Sequence, residues 1–262
     1  MPASRAQLLR TALSLRASGR LYPLDDAGLD DVFHGSIDRF VLIAQRLQGC
    51  QRVLDVGAGH GMLLALLRAL GHRCHGVDHE DMRARHPVAY DSAGRYGEPI
   101  GFTVANVEVD ALPFTDASFD AVVCCQVLEH FTHSHLPAVR EMRRVLAPGG
   151  VLEIDVPNVA ALRNRSRLLR GRNITYDYAE HYLHAAPVLY GGRSFFPLRH
   201  NREFTRDELR LLLAAAGFTQ IEVDWLKSRR LRHGLARLRS LGTALKDAVP
   251  SLRKSLIAFA VK

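Results

Sequence analysis

Apolar residues recur at helical spacing through the first fifty positions and afterwards gather into short blocks separated by glycine turns. Residues 3–18 read as a helix opened by Ser4 and closed near Gly19. A second is expected over 37–47, with Phe40, Val41, Ile43, Ala44 and Leu47 along its apolar side. The period then changes. Arg52–Val56 is a short apolar strand that runs straight into Gly57-Ala58-Gly59-His60-Gly61 and a helix through Leu70, which Gly71 ends. The next strand, 73–77, stops at Asp78. Further strands fall at 101–105, 119–125, 151–156 and 218–225, with a last one at 256–261. A helix over 136–146 ends in Pro148-Gly149-Gly150, a helix stop and turn. Another opens on the capping box Thr205/Glu208 and runs to Ala216-Gly217. Such alternation of strand and helix predicts a parallel sheet with helices on both faces.

Composition narrows this only a little. The chain has 262 residues, 47% apolar and 24% charged, enough for one large domain or a core with insertions. No apolar run reaches the roughly 18–20 residues of a membrane span, and the polar N-terminus has no hydrophobic signal core. Cys50, Cys74, Cys124 and Cys125 lack metal-ligand spacing and read as reduced, apolar-behaving thiols of a cytoplasmic protein.

Charge adds an asymmetry. Net charge is −2 over residues 1–150 and +10 over 151–262. Arg163, Arg165, Arg167, Arg170 and Arg172 crowd one segment. Residues 228–248 place Leu231, Leu235, Leu238 and Leu245 beside Arg230, Arg232, Arg237 and Arg239, an amphipathic helix with a basic border. It fits a solvated helix packed on the sheet edge, a peripheral contact with an anionic membrane at its cytoplasmic face, or recognition of phosphate-bearing substrates. Nucleic acid is the weakest of these, because no aromatic residues interleave with the arginines.

The glycine loop carries the candidate chemistry. Glycines stand where a strand turns sharply into a helix, letting backbone approach a ligand at the positive end of the helix. Asp78 follows 21 residues after Gly57, at the end of the second strand, where a carboxylate can hold both hydroxyls of a ribose. Alone, the loop is compatible with a nicotinamide cofactor or with a turn that binds nothing. Its spacing is GxGxG, not the GxGxxG of dinucleotide folds, and no Tyr-x₃-Lys pair supports a nicotinamide-dependent reductase.

Downstream, the chain resembles class I S-adenosylmethionine (SAM)-dependent methyltransferases of the broad methyltransferase type 11 family that includes ubiquinone-biosynthesis enzymes. Five blocks occur in the expected order over about 53–218. They are Asp55–Gly61, Asp78, Leu112-Pro113-Phe114-x₄-Phe119-Asp120, Val127-Leu128-Glu129-His130 and Arg144-Val145-Leu146-x-Pro148-Gly149-Gly150. Pro157-Asn158 and Glu203-Phe204-Thr205-x₂-Glu208-Leu209 extend the match. The resemblance implies a Rossmann-like α/β fold with a seven-stranded, mostly parallel sheet whose last strand is antiparallel. It also implies a helical cap over 1–50, a core over 51–262 and a lid insertion at about 171–203.

By the same resemblance, Gly57, Gly59 and Gly61 would pass under the methionine moiety of SAM with Ala58 in the same cofactor loop, and Asp55 would orient the loop or reach the amino group through water. Asp78 would hold the ribose, with His79 beside the adenine, Asn106 and Val107 at its amino group, and Gln126 near the methionine end. Asn106 departs from the family's acidic residue and offers a neutral acceptor. Some ubiquinone-branch relatives bind a divalent metal with acidic residues and a histidine after the fourth strand. Gln126 replaces the first acid here, so no metal is expected. His130 and His200 are the candidate bases, although a Glu129-His130 pair can equally brace the loop. The aromatic insertion, with Tyr176, Tyr178, Tyr182, Tyr190, Phe195, Phe196, His181 and His184, is either an acceptor lid or a satellite core, and Tyr22 and His34 are further residues that could close over SAM. Pro157-Asn158, Arg165 and Arg199-His200-x-Arg202-Glu203-Phe204-Thr205 also resemble bacterial methyltransferases associated with cell-surface glycan synthesis, which suggests O-methylation of a sugar, glycolipid or other small molecule, with S-adenosylhomocysteine as product. A non-catalytic SAM-fold partner subunit is the other reading.

Overall fold

The computed structural model describes residues 2–90, 100–175, 178–227, 246 and 248–262. The basic helix expected over 228–248 lies, apart from positions 246 and 248, outside the described residues, as does Tyr176.

Ser4 caps α1 (Arg5–Ala17) in a complete capping box with Gln7. The second helix, α2 (Ala27–Arg46), starts ten residues before its expected position. Asp26 caps it by accepting the Leu29 N–H, and the buried Phe33 carries the apolar stripe toward the N-terminus. Gly28, Gly35, Asp30 and Asp31 interrupt that stripe in sequence, and tertiary burial overrides their low helix propensity.

Then follow β1 (Arg52–Val56), α3 (Met62–Ala69), β2 (Arg73–Asp78), the short α4 (Met82–Arg85) and α5 (Pro87–Tyr90), β3 (Gly101–Val104) and β4 (Phe119–Cys125). After them come α6 (His135–Val145), β5 (Leu146–Pro157), α7 (Leu162–Leu168), a hairpin β6 (Val188–Tyr190) and β7 (Arg193–Phe195), α8 (Arg206–Ala215), β8 (Thr219–Trp225) and β9 (Ser255–Val261). The main sheet runs β3-β2-β1-β4-β5-β9-β8, parallel through β5, with β9 antiparallel to both neighbours. Strand order reverses between β1 and β4, which opens a crevice at their carboxyl ends.

Period-two alternation divides the strand side chains between two cores. Val53, Ala121, Val123, Ile257 and Phe259 pack with α1, α2 and α3 on one face. Leu54, Val56, Val122, Cys124 and Ala258 pack with α6 and α8 on the other. The N-terminal helices thus share the core of the sheet.

Several blocks of the sequence motif hold one another. The Arg144 guanidinium donates to the carbonyls of Leu112 and Phe114 and to Glu141 and Asp116, while Glu141 accepts the Leu112 N–H. Asp120 accepts the N–H groups of Gln51 and Arg52 and pairs with the Arg52 side chain. Asn158 bridges to Phe204 and donates to the carbonyls of Ser251 and Arg253. The helix stops at Val145, and the turn expected at 148–150 is kept as a bulge near the start of β5, with Gly149 at φ +75° and a break in register against β4. Lys262 fastens this bulge, its N–H bonded to the Gly150 carbonyl and its Nζ to those of Arg144 and Leu146. Among the described residues, no helix is long and apolar enough to cross a membrane.

Candidate functional site

A cleft lies at the carboxyl ends of β1, β2 and β4, where open α/β sheets bind their ligands. Gly57, Asp78, His79, Asn106, Val107, Gln126 and His130 line it, with Phe195, Phe196 and Pro197 of the insertion opposite.

The glycine loop is built by sterics and internal hydrogen bonds. Gly57 has φ +75°, and a Cβ there would sit 2.2 Å from Val127 Cγ2. At Gly61 (φ +71°) a Cβ would meet the Tyr90 ring at 2.8 Å. The N–H groups of Gly57 and Ala58 donate to the Val77 carbonyl, and the Gly59 N–H donates to Asp78 Oδ2 at 3.0 Å. The loop thus offers its bare Cα surface at Gly57, while Ala58 and Gly61 are buried, Gly59 is half-buried, and none of these three lines the cleft.

Asp78 accepts that N–H on one oxygen and the His79 N–H and Nδ1–H on the other, at 2.8 and 2.7 Å. This bond to Asp78 raises the His79 pKa. Asn106 forms a local turn in which its Oδ1 accepts the Glu108 N–H at 3.1 Å, so its acceptor is shared with the backbone.

Gln126 adopts φ +56°, unusual for a non-glycine residue. Its Nε2 turns away to Asp155 Oδ1 at 2.5 Å. Behind it is a buried acidic cluster that the sequence analysis did not anticipate beyond Asp55. Asp55, Glu153 and Asp155 are buried, and Arg39 of α2 reaches Asp155 at 2.9 Å. Burial, with Asp78 and Asp155 nearby, pushes Asp55 up to about 7, and Arg39 opposes that rise. The one sequence signal was two acids alternating on the otherwise apolar β5.

The two candidate histidines, seventy residues apart in sequence, meet where His130 lines the cleft. Residues 128–130 form a single 3₁₀ turn after β4. The 199–202 segment is fastened to it: the N–H groups of Asn201 and Arg202 donate to the Glu129 carbonyl, and Asn201 Nδ2 donates to that of His130. His130 Nδ1 bonds the Arg199 carbonyl at 2.9 Å, which assigns the proton to Nδ1 and leaves Nε2 as the basic nitrogen. The His130 and His200 rings stand edge to face, 4.8 Å between centroids. Burial lowers the pKa of both, that of His200 to about 4. Glu129 is fully buried, neither carboxyl oxygen bonds another side chain, and burial pushes it up to about 8.

The insertion contributes a wall to this cleft. The Tyr190 hydroxyl donates to the Asp110 carboxylate and accepts the Asn106 N–H, fastening the hairpin beside the cleft. Arg199 lies 3.4 Å above the Phe196 ring and 4.9 Å from that of Tyr182, while its Nε donates to the His181 carbonyl. His184 is exposed. Tyr22 and His34 are not at the cleft: the Tyr22 hydroxyl donates to Asp30, and His34 lies 3.6 Å from the same carboxylate. Both are held by a polar network between α1 and α2 that also includes Arg16.

An open α/β sheet with a glycine turn and a carboxylate at its switch point defines a nucleotide-type cofactor fold. The match of residues 11–223 to the methyltransferase domain model makes it specific: the chain belongs to that family, within the class I SAM-dependent methyltransferases. It is similar to a malonyl-[acyl-carrier protein] O-methyltransferase of Geobacter sulfurreducens, 32% identical over 66% of this chain and 57% of that protein. The chain therefore spans little more than half the length of that curated relative. Among solved structures it shares the fold of the methyltransferase in a Haloferax volcanii complex with the Trm112 methyltransferase activator (TM-score 0.60, 19% identity, 95% and 96% of the two chains covered). It also shares that of Burkholderia thailandensis 1,6-didemethyltoxoflavin-N1-methyltransferase, solved with S-adenosylhomocysteine (TM-score 0.53, 22% identity, 100% and 90% covered). SAM is the cofactor of this family.

Proposed function

We propose that this chain transfers the methyl group of SAM to an oxygen of a small-molecule, sugar or glycolipid acceptor. The observation that carries the reading is one cleft lined by Gly57, Asp78 and His130, with His200 packed against the His130 ring. The Asp78 carboxylate binds the ribose hydroxyls, with His79, Asn106 and Val107 around the adenine. Gly57 passes beneath the methionine, the sulfonium lies toward Gln126, and Asp55, Ala58, Gly59 and Gly61 shape the loop from behind.

Methyl transfer needs the acceptor oxygen in line with the S–CH₃ bond and water excluded. The hairpin wall of Phe195 and Phe196 supplies that exclusion. A hydroxyl acceptor must lose a proton as the O–CH₃ bond forms and the C–S bond breaks, and His130 Nε2, neutral through burial, is positioned to take it. The O-methylating curated relative supports oxygen over nitrogen as the acceptor atom.

Calorimetric titration with SAM, S-adenosylhomocysteine and NADH tests the cofactor. Micromolar binding of the two adenosyl ligands, lost in Asp78→Ala, is expected. Binding of NADH alone would transfer the chain to the reductases. No binding of any of the three would make it a non-catalytic member of the fold.

A further inference from the structure

We infer that a second cavity, beside the glycine loop, binds a small carboxylate carried on an apolar ring or short chain. It lies between the α1–α2 linker, the first turns of α2, His60 of the loop and the α4–α5 turn. It shares no lining residue with the cofactor cleft: within the loop, Gly57 lines the cleft and His60 lines this cavity.

Its walls sort by chemistry. Leu21, Pro23, Leu29, Val32 and Val88 give it an apolar body, and Tyr22, Asp26, His60, Arg85 and His86 are its polar side chains. Two of these are engaged elsewhere. The Tyr22 hydroxyl donates to Asp30, and Asp26 accepts the Leu29 N–H as the cap of α2. The other three are bases. Arg85 bonds Glu80 through Nη1 and keeps further N–H donors. The half-buried His60 and His86 rings stand 4.5 Å apart between centroids, and neither makes a hydrogen bond among the described residues.

Burial lowers the pKa of both imidazoles. The opposite ring adds to this for His60, and Arg85 adds to it for both. Asp26 opposes it at both rings, Asp78 at His60 and Glu80 at His86. Both rings are therefore neutral above pH about 7 and can take up a proton when an anion arrives. Three bases around an apolar hollow, whose lining acid already serves a helix, select a carboxylate over an amine.

The cavity also bears on the loop. Its Pro87–Ala89 wall leads into Tyr90, whose hydroxyl donates to the Gly59 carbonyl at 3.0 Å, and the Gly59 N–H donates to Asp78. An occupant between His60 and α5 acts through these bonds on the ribose-holding carboxylate, which makes this an effector site. That role rests on the methyl-transfer reading; the binding does not.

Benzoate is the probe, titrated calorimetrically into the full chain, with benzamide and benzylamine as its neutral and cationic counterparts. Saturable binding of one benzoate is expected, at least about tenfold tighter than either counterpart. It should be tighter near pH 6 than near pH 8, because the bound anion draws protons onto His60 and His86. In imidazole NMR spectra, the two signals identified by His60→Gln and His86→Gln should titrate at higher pH once benzoate is bound. Arg85→Gln should weaken binding about tenfold, and Val32→Trp should fill the cavity and abolish it; circular dichroism melts report whether each variant is folded. No saturable binding, equal binding of benzamide, or undiminished binding in folded Val32→Trp overturns the site. Displacement of benzoate by S-adenosylhomocysteine would place it in the cleft and overturn the site as well. Both ligands bound without mutual effect on affinity would overturn the effector role. Benzoate binding without S-adenosylhomocysteine binding would leave the site standing and remove the cofactor reading instead.

Discussion

Replacing Gly57 by alanine isolates the physical demand at the centre of the cleft. Two costs combine. The backbone is in the left-handed region at φ +75°, which an L-residue adopts at a cost of about 1–2 kcal/mol. The new Cβ would stand 2.2 Å from Val127 Cγ2 and 3.3 Å from Val127 Cβ and Cγ1, an overlap that must push Val127 aside. Val127 is β-branched and stiff about χ1, and the overpacking adds about 1–3 kcal/mol. The loop cannot simply lift away, because Gly57 and Ala58 both donate to the Val77 carbonyl. Gly57→Ala should therefore destabilise the protein by about 2–5 kcal/mol and displace Val127 into the cleft. Urea unfolding measures the first effect, and SAM calorimetry the second. A cycle with Val127→Ala separates the two costs. The steric part, about 1–3 kcal/mol, should vanish when the valine methyls are gone, while the backbone part persists. A loss below about 1 kcal/mol in Gly57→Ala, or zero coupling to Val127, would refute the reasoning.

Asp55 predicts a pH dependence. Burial and its acidic neighbours push its folded pKa to about 7, above the ordinary 3.8. Between pH about 4 and 7 the native state keeps a proton that the unfolded chain has released, so stability falls as pH rises through this window. The full effect is about 4 kcal/mol, and Asp55→Asn should flatten urea midpoints compared at pH 4.5 and 7.5 by a substantial part of it. Identical slopes in both proteins would remove Asp55 from the account. Tyr190→Phe deletes the hydroxyl joining the hairpin to Asp110 and Asn106, a partly exposed charged hydrogen bond worth about 1 kcal/mol. Bound SAM should dissociate roughly fivefold faster by stopped flow; an unchanged rate would mean that the hairpin does not gate the cleft.

The strands of the main sheet were legible in the sequence because their signals are local, whereas the hairpin β6–β7 within the insertion was not read. A five-residue apolar block ending in a glycine turn, or Thr205 three residues before Glu208, carries its geometry in neighbouring side chains. The start of α2 was not legible, since its first turns mix glycines and acids and are held by burial of Phe33. The 148–150 turn was legible, but not its place inside β5, where Lys262, more than a hundred residues away, fastens it. Motif blocks that look like ligand sites can also be scaffolding. Arg144 and Leu112-Pro113-Phe114 bind one another, and no part of either lines the cleft.

The cleft divides along the same line. Gly57 and Asp78 could be placed from sequence because a strand, a glycine turn and a second strand of set length bring a carboxylate onto the loop. His130 and His200 were both singled out, but not as neighbours, and Glu129 gave no sign of being left unbonded. Arg39 passed unnoticed among the polar positions of a helix. Sequence by itself determined the fold class, the glycine turn and which side chains were candidates for the site, because hydrophobic period and backbone sterics are local. Tertiary structure alone decided which of them meet: the pairing of His130 with His200, the burial of Glu129 and the contact of Arg39 with Asp155 join segments far apart in the chain. Proximity and desolvation, which set their chemistry, arise only when the sheet closes its two cores.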